Sequence, residues 1–258
     1  MPLRSFPAEA DRRRRAGGYA GWMATVLLVR HGRTTANASG LLAGRADGVS
    51  LDDIGRDQAA LTADRLAAVP VLGLVSSPLD RCRETAQFIL ERQTGTHPAP
   101  IDIHLDSGLT ECDYGQWQGR TLTDLATEEL WPLVQAQPSA VVFPGGESMA
   151  AMQARSVAAI RRRDAAFEAE HGPGAVWVAV SHGDIIKSIL ADALGMHLDL
   201  FQRITVGPAS VSIVRYGAHR PTVHATNTEA GDLSWLANTV TSEDAPVGGG
   251  AGHTAPSA

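Results

Sequence analysis

The sequence predicts a three-layer α/β/α sandwich, in which helices cover both faces of a mostly parallel central sheet. Three short runs are apolar throughout, as strands buried on both faces are: residues 25–29 (TVLLV), 71–75 (VLGLV) and 175–180 (AVWVAV). Runs 210–216 and 222–225 are weaker strand candidates. Helix-like stretches lie between the runs, and this alternation favours parallel strands joined by helices.

Four stretches are predicted to be helices: residues 57–69, 78–91, 147–171 and 184–194. The second has the clearest start, because Ser77 can cap it, Pro78 suits the first helical position and Asp80 lies in the first turn. The loops that follow the strands then lie at the carboxyl edge of the sheet, where open α/β proteins bind their ligands.

The composition is that of a soluble globular protein. The 258 residues are 44% hydrophobic and 19% charged, and the formal net charge of −6 argues against nucleic acid or an anionic membrane as a partner. No run reaches the roughly 18 apolar residues of a membrane span, so a cytoplasmic location is expected. Cys82 and Cys112 do not form a close metal-binding pair. A disulfide is possible by number alone, but two free thiols in a reducing cytosol are favoured.

The chain is predicted to form one domain with an extension at each end. Residues 1–22 are basic and Gly-rich, and residues 241–258 are rich in Gly, Pro, Ala and Ser, so both are expected to be disordered around a single domain at 23–240. A signal peptide is the alternative for the N-terminus. We reject it because the apolar stretch runs directly into Arg30 and His31, which the chemistry below requires.

The tripeptide Arg30-His31-Gly32 directly follows the first predicted strand. A histidine at this position can act as a nucleophile when one ring nitrogen is unprotonated. The arginine offers a fork of donors to phosphate oxygens, and the glycine would leave room for a phosphate near the backbone. Taken alone, the tripeptide could equally be a loop histidine beside a surface arginine.

Two further strand ends carry polar groups. Ser181-His182-Gly183-Asp184 follows the run at 175–180 and repeats the His-Gly construction before a helix. Arg81 lies near the start of the helix at 78–91, where a cation is unfavourable unless an anion compensates it. The alternatives are a capped polar turn and an exposed helix arginine.

Glu111 lies in a loop at 108–117. A carboxylic acid with a raised pKa can protonate the leaving oxygen of a phosphate ester. A glutamate in a loop does not by itself indicate a proton donor, and this interpretation depends on the other motifs.

Together these segments resemble the histidine phosphatase superfamily, which has the phosphoglycerate mutase-like fold. The resemblance covers roughly residues 24–235, and six motifs occur in the family's order, which makes coincidence implausible. They are VRHGRTTAN (29–37), GRADGVSLDDIGRDQA (44–59), SSPLDRCRETA (76–86), LTECDYGQWQG (109–119), PGGES (144–148) and VSHGDIIK (180–187).

The resemblance implies a role for each central residue. His31 would accept the phosphoryl group, Arg30, Arg81 and His182 would hold its oxygens, and Glu111 would protonate the leaving group. Neither a metal nor another cofactor is implied, because cationic side chains supply the charge. The remaining candidates for the phosphate or substrate pocket are Asn37, Thr34, Gly32, Gly44, Gly183, Arg33, Arg45 and Tyr114.

Departures from the family pattern favour a phosphatase over a mutase. Cys112 and Leu122 stand where the cofactor-dependent phosphoglycerate mutases of the family that this chain resembles carry an arginine and a lysine, although Tyr114 and Gly115 are retained. Asp184 is separated from the second histidine by a glycine, so it does not match the donor aspartate of the acid phosphatase branch. A phosphomutase and a catalytically silent phospholigand-binding protein remain alternatives. The expected partner is a small-molecule phosphate monoester that the sequence does not identify; a homodimer is implied only because many relatives are dimers.

Overall fold

A computed structural model describes residues 22–93, 101–217, 219–231 and 247–250. Its six strands form one sheet in the order β3-β2-β4-β1-β5-β6. The strands are β1 (Trp22–Arg30), β2 (Gly73–Ser76), β3 (Ile103–Leu105), β4 (Val176–Ser181), β5 (Val211–Gly217) and β6 (Pro221–Thr228). The first four run parallel, while β5 and β6 are antiparallel to their neighbours. The predicted α/β fold with a mostly parallel sheet is confirmed.

Helices cover both faces of this sheet. They are α1 (Thr35–Ala38), α2 (Asp53–Leu66), α3 (Asp80–Gln93), α4 (Leu122–Leu125), α5 (Trp131–Ala136), α6 (Met149–His171) and α7 (Gly183–Ala193). Alternate residues of β1 belong to two separate cores, as the pleat requires. Leu27 and Val29 pack in one cluster with Ala63 of α2 and Ile89 of α3. Val26 and its neighbours on the other face pack with α6 and α7.

Several predicted boundaries differ from the structure. Helix α2 begins four residues before the predicted start, because the Asp52 side chain accepts a hydrogen bond from Gly55 N and caps it. Helix α3 begins at Asp80, so Pro78 precedes the helix rather than opening it. Strand β3 was not predicted, since its three residues are half-buried or exposed and show no apolar run.

The structure describes only part of the two extensions predicted at the ends of the chain. Residues 1–21, 232–246 and 251–258 lie outside the described residues, while β1 already begins at Trp22. The extension predicted at 241–258 includes residues 247–250, which the structure describes. Val247 is 2% exposed, and the backbone after it makes hydrogen bonds to the domain. Among the described residues, no helix is long and apolar enough to cross a membrane.

Candidate active site

Two histidines lie side by side at the carboxyl ends of neighbouring strands. His31 follows β1 and His182 follows β4, and because Arg30 pairs with Ser181, both residues leave the sheet at the same edge. Their ring centroids are 5.2 Å apart at an interplanar angle of 64°. Both side chains are buried. The structure thus brings together the two histidines of the strand-end motifs.

His31 presents one free ring nitrogen. Its Nδ1 lies 2.7 Å from the carbonyl oxygen of Gly32. Since a carbonyl only accepts, Nδ1 carries the proton and Nε2 keeps a lone pair. Burial lowers the pKa of His31 well below its ordinary value, and the positive charges of Arg81 and Arg30 lower it further. A neutral imidazole of this kind can act as a nucleophile.

Two buried arginines each keep an unused donor. Arg81 donates from Nη2 to the carbonyl oxygen of Gly44 at 2.7 Å, and Arg30 donates from Nη1 to that of Val206 at 2.9 Å. Arg81 Nη1 and Arg30 Nε have no hydrogen-bond partner among the described residues. Burial lowers the pKa of Arg30 to about 10, which still leaves it charged at neutral pH. Buried cationic donors without partners favour an anion.

Glu111 supplies a buried acid next to the second histidine. Its Oε2 lies 3.9 Å from His182 Nδ1, while Oε1 accepts a hydrogen bond from Cys112 N at 2.9 Å. His182 Nε2 in turn lies 2.8 Å from Ser77 Oγ. Burial raises the pKa of Glu111 to about 7, and the negative charge of Asp184 contributes to the rise. Near neutral pH this carboxyl can therefore both donate and accept a proton.

The loop that carries Glu111 is held by residues to which the sequence analysis gave no role. Arg155 on α6 donates to the carbonyl oxygens of residues 108, 110 and 111, at 2.9, 2.7 and 3.1 Å. It also pairs with Glu147 at 2.6 Å. Glu147 accepts from Asp113 N and from Arg45, so it joins both arginines to the loop. Glu147 lies in the PGGES motif, from which a role for it could have been predicted. Arg155 lies in none of the six motifs.

Tyr114 and Asp184 form a buried pair behind Glu111. The Tyr114 hydroxyl donates to Asp184 Oδ2 at 2.8 Å, and both side chains are fully buried. Lys187, one turn along α7, lies 3.6 Å from Asp184 Oδ1 and donates to Gln202 at 2.9 Å. Asp184 is thus a buried acceptor whose charge acts on Glu111, as the raised pKa of that carboxyl reflects.

A small pocket lies beside His31 and Glu111. Seven of the predicted site residues line it: His31, Thr34, Asn37, Gly44, Arg81, Glu111 and Tyr114. Residues 247–250 and the apolar side chains of Leu41, Leu42 and Leu122 complete the lining. The cavity measures only about 20 Å³, which is room for a water molecule.

Thr34 and Asn37 shape this wall through a capping box at the start of α1. Thr34 Oγ1 accepts from Asn37 N at 3.1 Å and donates to Asn37 Oδ1 at 2.9 Å. The box fixes the asparagine rotamer, and Asn37 Nδ2 donates to the carbonyl oxygen of Gly249 at 3.4 Å. The Gly44 carbonyl, by contrast, belongs to the wall because it accepts from Arg81.

The other predicted site residues lie outside the pocket lining. Arg33 pairs with Asp52 at 2.8 Å, and Arg45 pairs with Glu147 at 2.8 Å. At Gly32, a Cβ would overlap the carbonyl of Gly55. The remaining three, Arg30, His182 and Gly183, lie beneath the lining, close to His31 or to residues 247–250.

The described residues include no group of three or more His, Cys, Asp or Glu side chains placed to hold a metal ion. Cys82 and Cys112 are both buried free thiols. Burial raises the pKa of Cys82 to about 12, so the thiol stays protonated.

Comparisons with known proteins agree with this geometry. A family model described as the histidine phosphatase superfamily (branch 1) matches residues 26–229. The Bifunctional protein Rv2228c of Mycobacterium tuberculosis is 30% identical over 205 residues, which are 78% of this chain and 52% of that protein. The chain therefore spans about half the length of the mycobacterial relatives it matches.

A second relative and a solved structure are matched over nearly their whole lengths. The "Probable phosphoglycerate mutase GpmB" of Cronobacter sakazakii is 32% identical over 197 residues, which are 75% of this chain and 86% of the relative. The mycobacterial glucosyl-3-phosphoglycerate phosphatase Rv2419c, solved in complex with VO3, matches with a TM-score of 0.70 and 27% identity. That match covers 80% of this chain and 99% of the other.

Proposed function

We propose that this chain, which belongs to the histidine phosphatase superfamily, hydrolyses a phosphate monoester through a phosphohistidine on His31. The observation that carries the proposal is the set of unused groups in and next to one small pocket. They are a neutral imidazole nitrogen, two buried guanidinium donors and a carboxyl whose pKa is about 7. A phosphoryl group is the ligand that uses all of them at once.

In the proposed first step, His31 Nε2 attacks phosphorus and the ester P–O bond breaks. Protonated Glu111 gives its proton to the departing oxygen, so the alcohol leaves neutral. The free donors of Arg30 and Arg81, together with His182, stabilise the charge on the three equatorial oxygens. These donors are already oriented by their other hydrogen bonds, which lowers the cost of reorganisation in the transition state.

In the proposed second step, Glu111 acts as a carboxylate. It takes a proton from water, the water oxygen attacks phosphorus, and the P–N bond to His31 breaks to release inorganic phosphate. The same carboxyl can serve both steps because its pKa lies near neutral pH. Arg155 and Arg45 both donate to the Glu111 carbonyl, and thereby keep the carboxyl in reach of the ester oxygen and of water.

The apolar part of the pocket lining favours a leaving group without a carboxylate. Leu41, Leu42 and Leu122 belong to that lining, whereas Arg33 and Arg45, the cations predicted to contact the rest of the substrate, are each paired with a carboxylate. A relative acts on glucosyl-3-phosphoglycerate according to its name, so that ester belongs in a substrate panel beside neutral sugar phosphates and aryl phosphates.

The test is phosphate release from this panel in the presence of EDTA. We expect turnover that survives the chelator, is lost in His31→Ala and is retained in His104→Ala, a matched control on an exposed strand position. Label from a ³²P-substrate should remain on wild-type protein after an alkaline quench. Absence of both turnover and label in wild type would refute the proposal.

A phosphomutase is the second candidate, favoured by the 32% identity to a protein named as a probable phosphoglycerate mutase. It would return the phosphoryl group from His31 to another hydroxyl. Buried Cys112 and pocket-lining Leu122 place no cation there to bind a phosphoglycerate carboxylate. Transfer of label between the hydroxyls of phosphoglycerate, faster than phosphate release, would favour the mutase.

A further inference from the structure

Four residues from the C-terminal part of the chain lie across the candidate active site. Residues 247–250 (Val-Gly-Gly-Gly), here called the strap, line the pocket beside His31 and Glu111. Arg30 Nη2 donates to the carbonyl oxygens of Gly249 at 2.7 Å and Gly250 at 2.8 Å. The strap therefore occupies Nη2 of the guanidinium that is proposed to hold a phosphoryl oxygen, while Nε has no partner among the described residues.

Two further contacts fix the strap in place. Gly248 N donates to Asp184 Oδ2 at 3.0 Å, and Asn37 Nδ2 donates to the Gly249 carbonyl at 3.4 Å. The domain thus binds the strap through the strap's backbone. Asp184 accepts from its N–H, and Arg30 and Asn37 donate to its carbonyl oxygens. Asn37 lines the pocket, and Asp184 accepts a hydrogen bond from Tyr114, which also lines it.

The glycines of the strap are required by its conformation. Gly248 and Gly249 have φ of +75° and +70°, a region that favours glycine. A Cβ on Gly249 would lie 3.0 Å from Arg30 Cζ, and one on Gly248 would lie 2.8 Å from Leu42 Cδ1. A side chain at either position would therefore press on Leu42 or on the Arg30 guanidinium and disturb the strap.

With the strap in place, the pocket is too small for a substrate. The remaining cavity of about 20 Å³ holds a water molecule but not a phosphate ester. We propose that the strap binds the catalytic pocket in place of the substrate's phosphoryl group and must be released before substrate can bind. Its neutral carbonyls form weaker bonds to arginine than a phosphate dianion does, so a phosphate ester can displace it.

The proposal rests on the proposed function for the identity of the competing ligand, but its test reads binding rather than turnover. Isothermal titration calorimetry measures the Kd of inorganic phosphate for the full chain and for Gly249→Val, which clashes with Arg30 Cζ. A chain ending at residue 246 removes the strap, and a chain ending at residue 250 keeps it. Gly195→Ala, at φ of +68° with open space around it, is the matched glycine control.

If the strap is closed in about nine molecules of ten, only about one molecule in ten can bind phosphate, and release of the strap lowers the apparent Kd about tenfold. We expect this tighter binding in Gly249→Val and in the chain ending at 246. The chain ending at 250 and Gly195→Ala should match the full chain. Unchanged or weaker binding after removal of the strap would overturn the proposal, and weaker binding would make the strap a wall that supports the ligand. A chain that hydrolyses no ester but binds phosphate tighter without the strap would refute only the proposed function.

Discussion

Replacement of Glu111 by glutamine tests the proposed proton donor directly. The change keeps the shape of a side chain that is 3% exposed, while it removes the acid. At its ordinary pKa of 4.5 the carboxyl would be protonated in only about one molecule in 300 at pH 7, whereas a pKa of about 7 leaves about half of the molecules protonated. General acid catalysis contributes about 10²- to 10⁴-fold, and Glu111→Gln should lose that factor when the leaving group needs a proton.

The assay compares two leaving groups in single-turnover experiments. An alkyl phosphate releases a basic alkoxide and should lose the full 10²- to 10⁴-fold in its first step. 4-Nitrophenyl phosphate releases a stable phenolate, so the release of its phenol should fall by less than about tenfold. With wild type, kcat/KM for the alkyl ester should fall as the pH rises through about 7, because Glu111 then loses its proton. This limb should disappear in the variant.

Glu129→Gln, at an exposed position, controls for the loss of a carboxylate and should leave both rates unchanged. Equal losses for both esters in Glu111→Gln, or a pH limb that persists in that variant, would show that another group donates the proton.

Three other substitutions test the surrounding structure. Arg155→Lys should lower kcat by about tenfold or more at nearly unchanged KM in steady-state assays, because lysine cannot reach the three loop carbonyls together; an unchanged kcat would contradict this. Gly73→Ala should lower the free energy of unfolding by about 1–3 kcal/mol in urea titrations, since its Cβ would overlap the Phe167 ring. Burial raises the pKa of Asp164, which accepts from Trp177 Nε1, from 3.8 to about 6. The free energy of unfolding of wild type, relative to that of Asp164→Asn, should therefore fall as the pH rises between these values. An equal difference between the two proteins in urea titrations at pH 4 and at pH 8 would refute that reasoning.

The sequence predicted the elements of the site that depend on topology. His31 and His182 each follow an apolar run, and the rule that parallel strands end at one edge brings them together. The structure places their rings 5.2 Å apart. Arg81 was identified by its unfavourable position near a helix start, and its unused Nη1 agrees with the expected need for an anion.

Contacts between distant segments could not be predicted in this way. Arg45 was expected to touch substrate, but its guanidinium meets Glu147, 102 residues away in the chain. The strap was expected to be disordered because its composition buries little apolar surface. Its position instead depends on backbone hydrogen bonds to Arg30 and Asp184, and composition carries no information about such bonds.

The contact between Gly32 and Gly55 links the loop that carries His31 to helix α2 without any side chain. A Cβ on Gly32 would overlap the Gly55 carbonyl, and a Cβ on Gly55 would overlap the Arg33 carbonyl. Neither glycine can therefore accept a side chain unless the backbone moves, and a substitution at one position cannot compensate for a substitution at the other, because the overlapped atoms belong to the backbone. Transfer of Arg30-His31-Gly32 to a new scaffold therefore requires transfer of the first turn of α2 as well. Distant relatives that keep this contact should carry glycine at the position of Gly55, although that residue takes no part in the proposed chemistry.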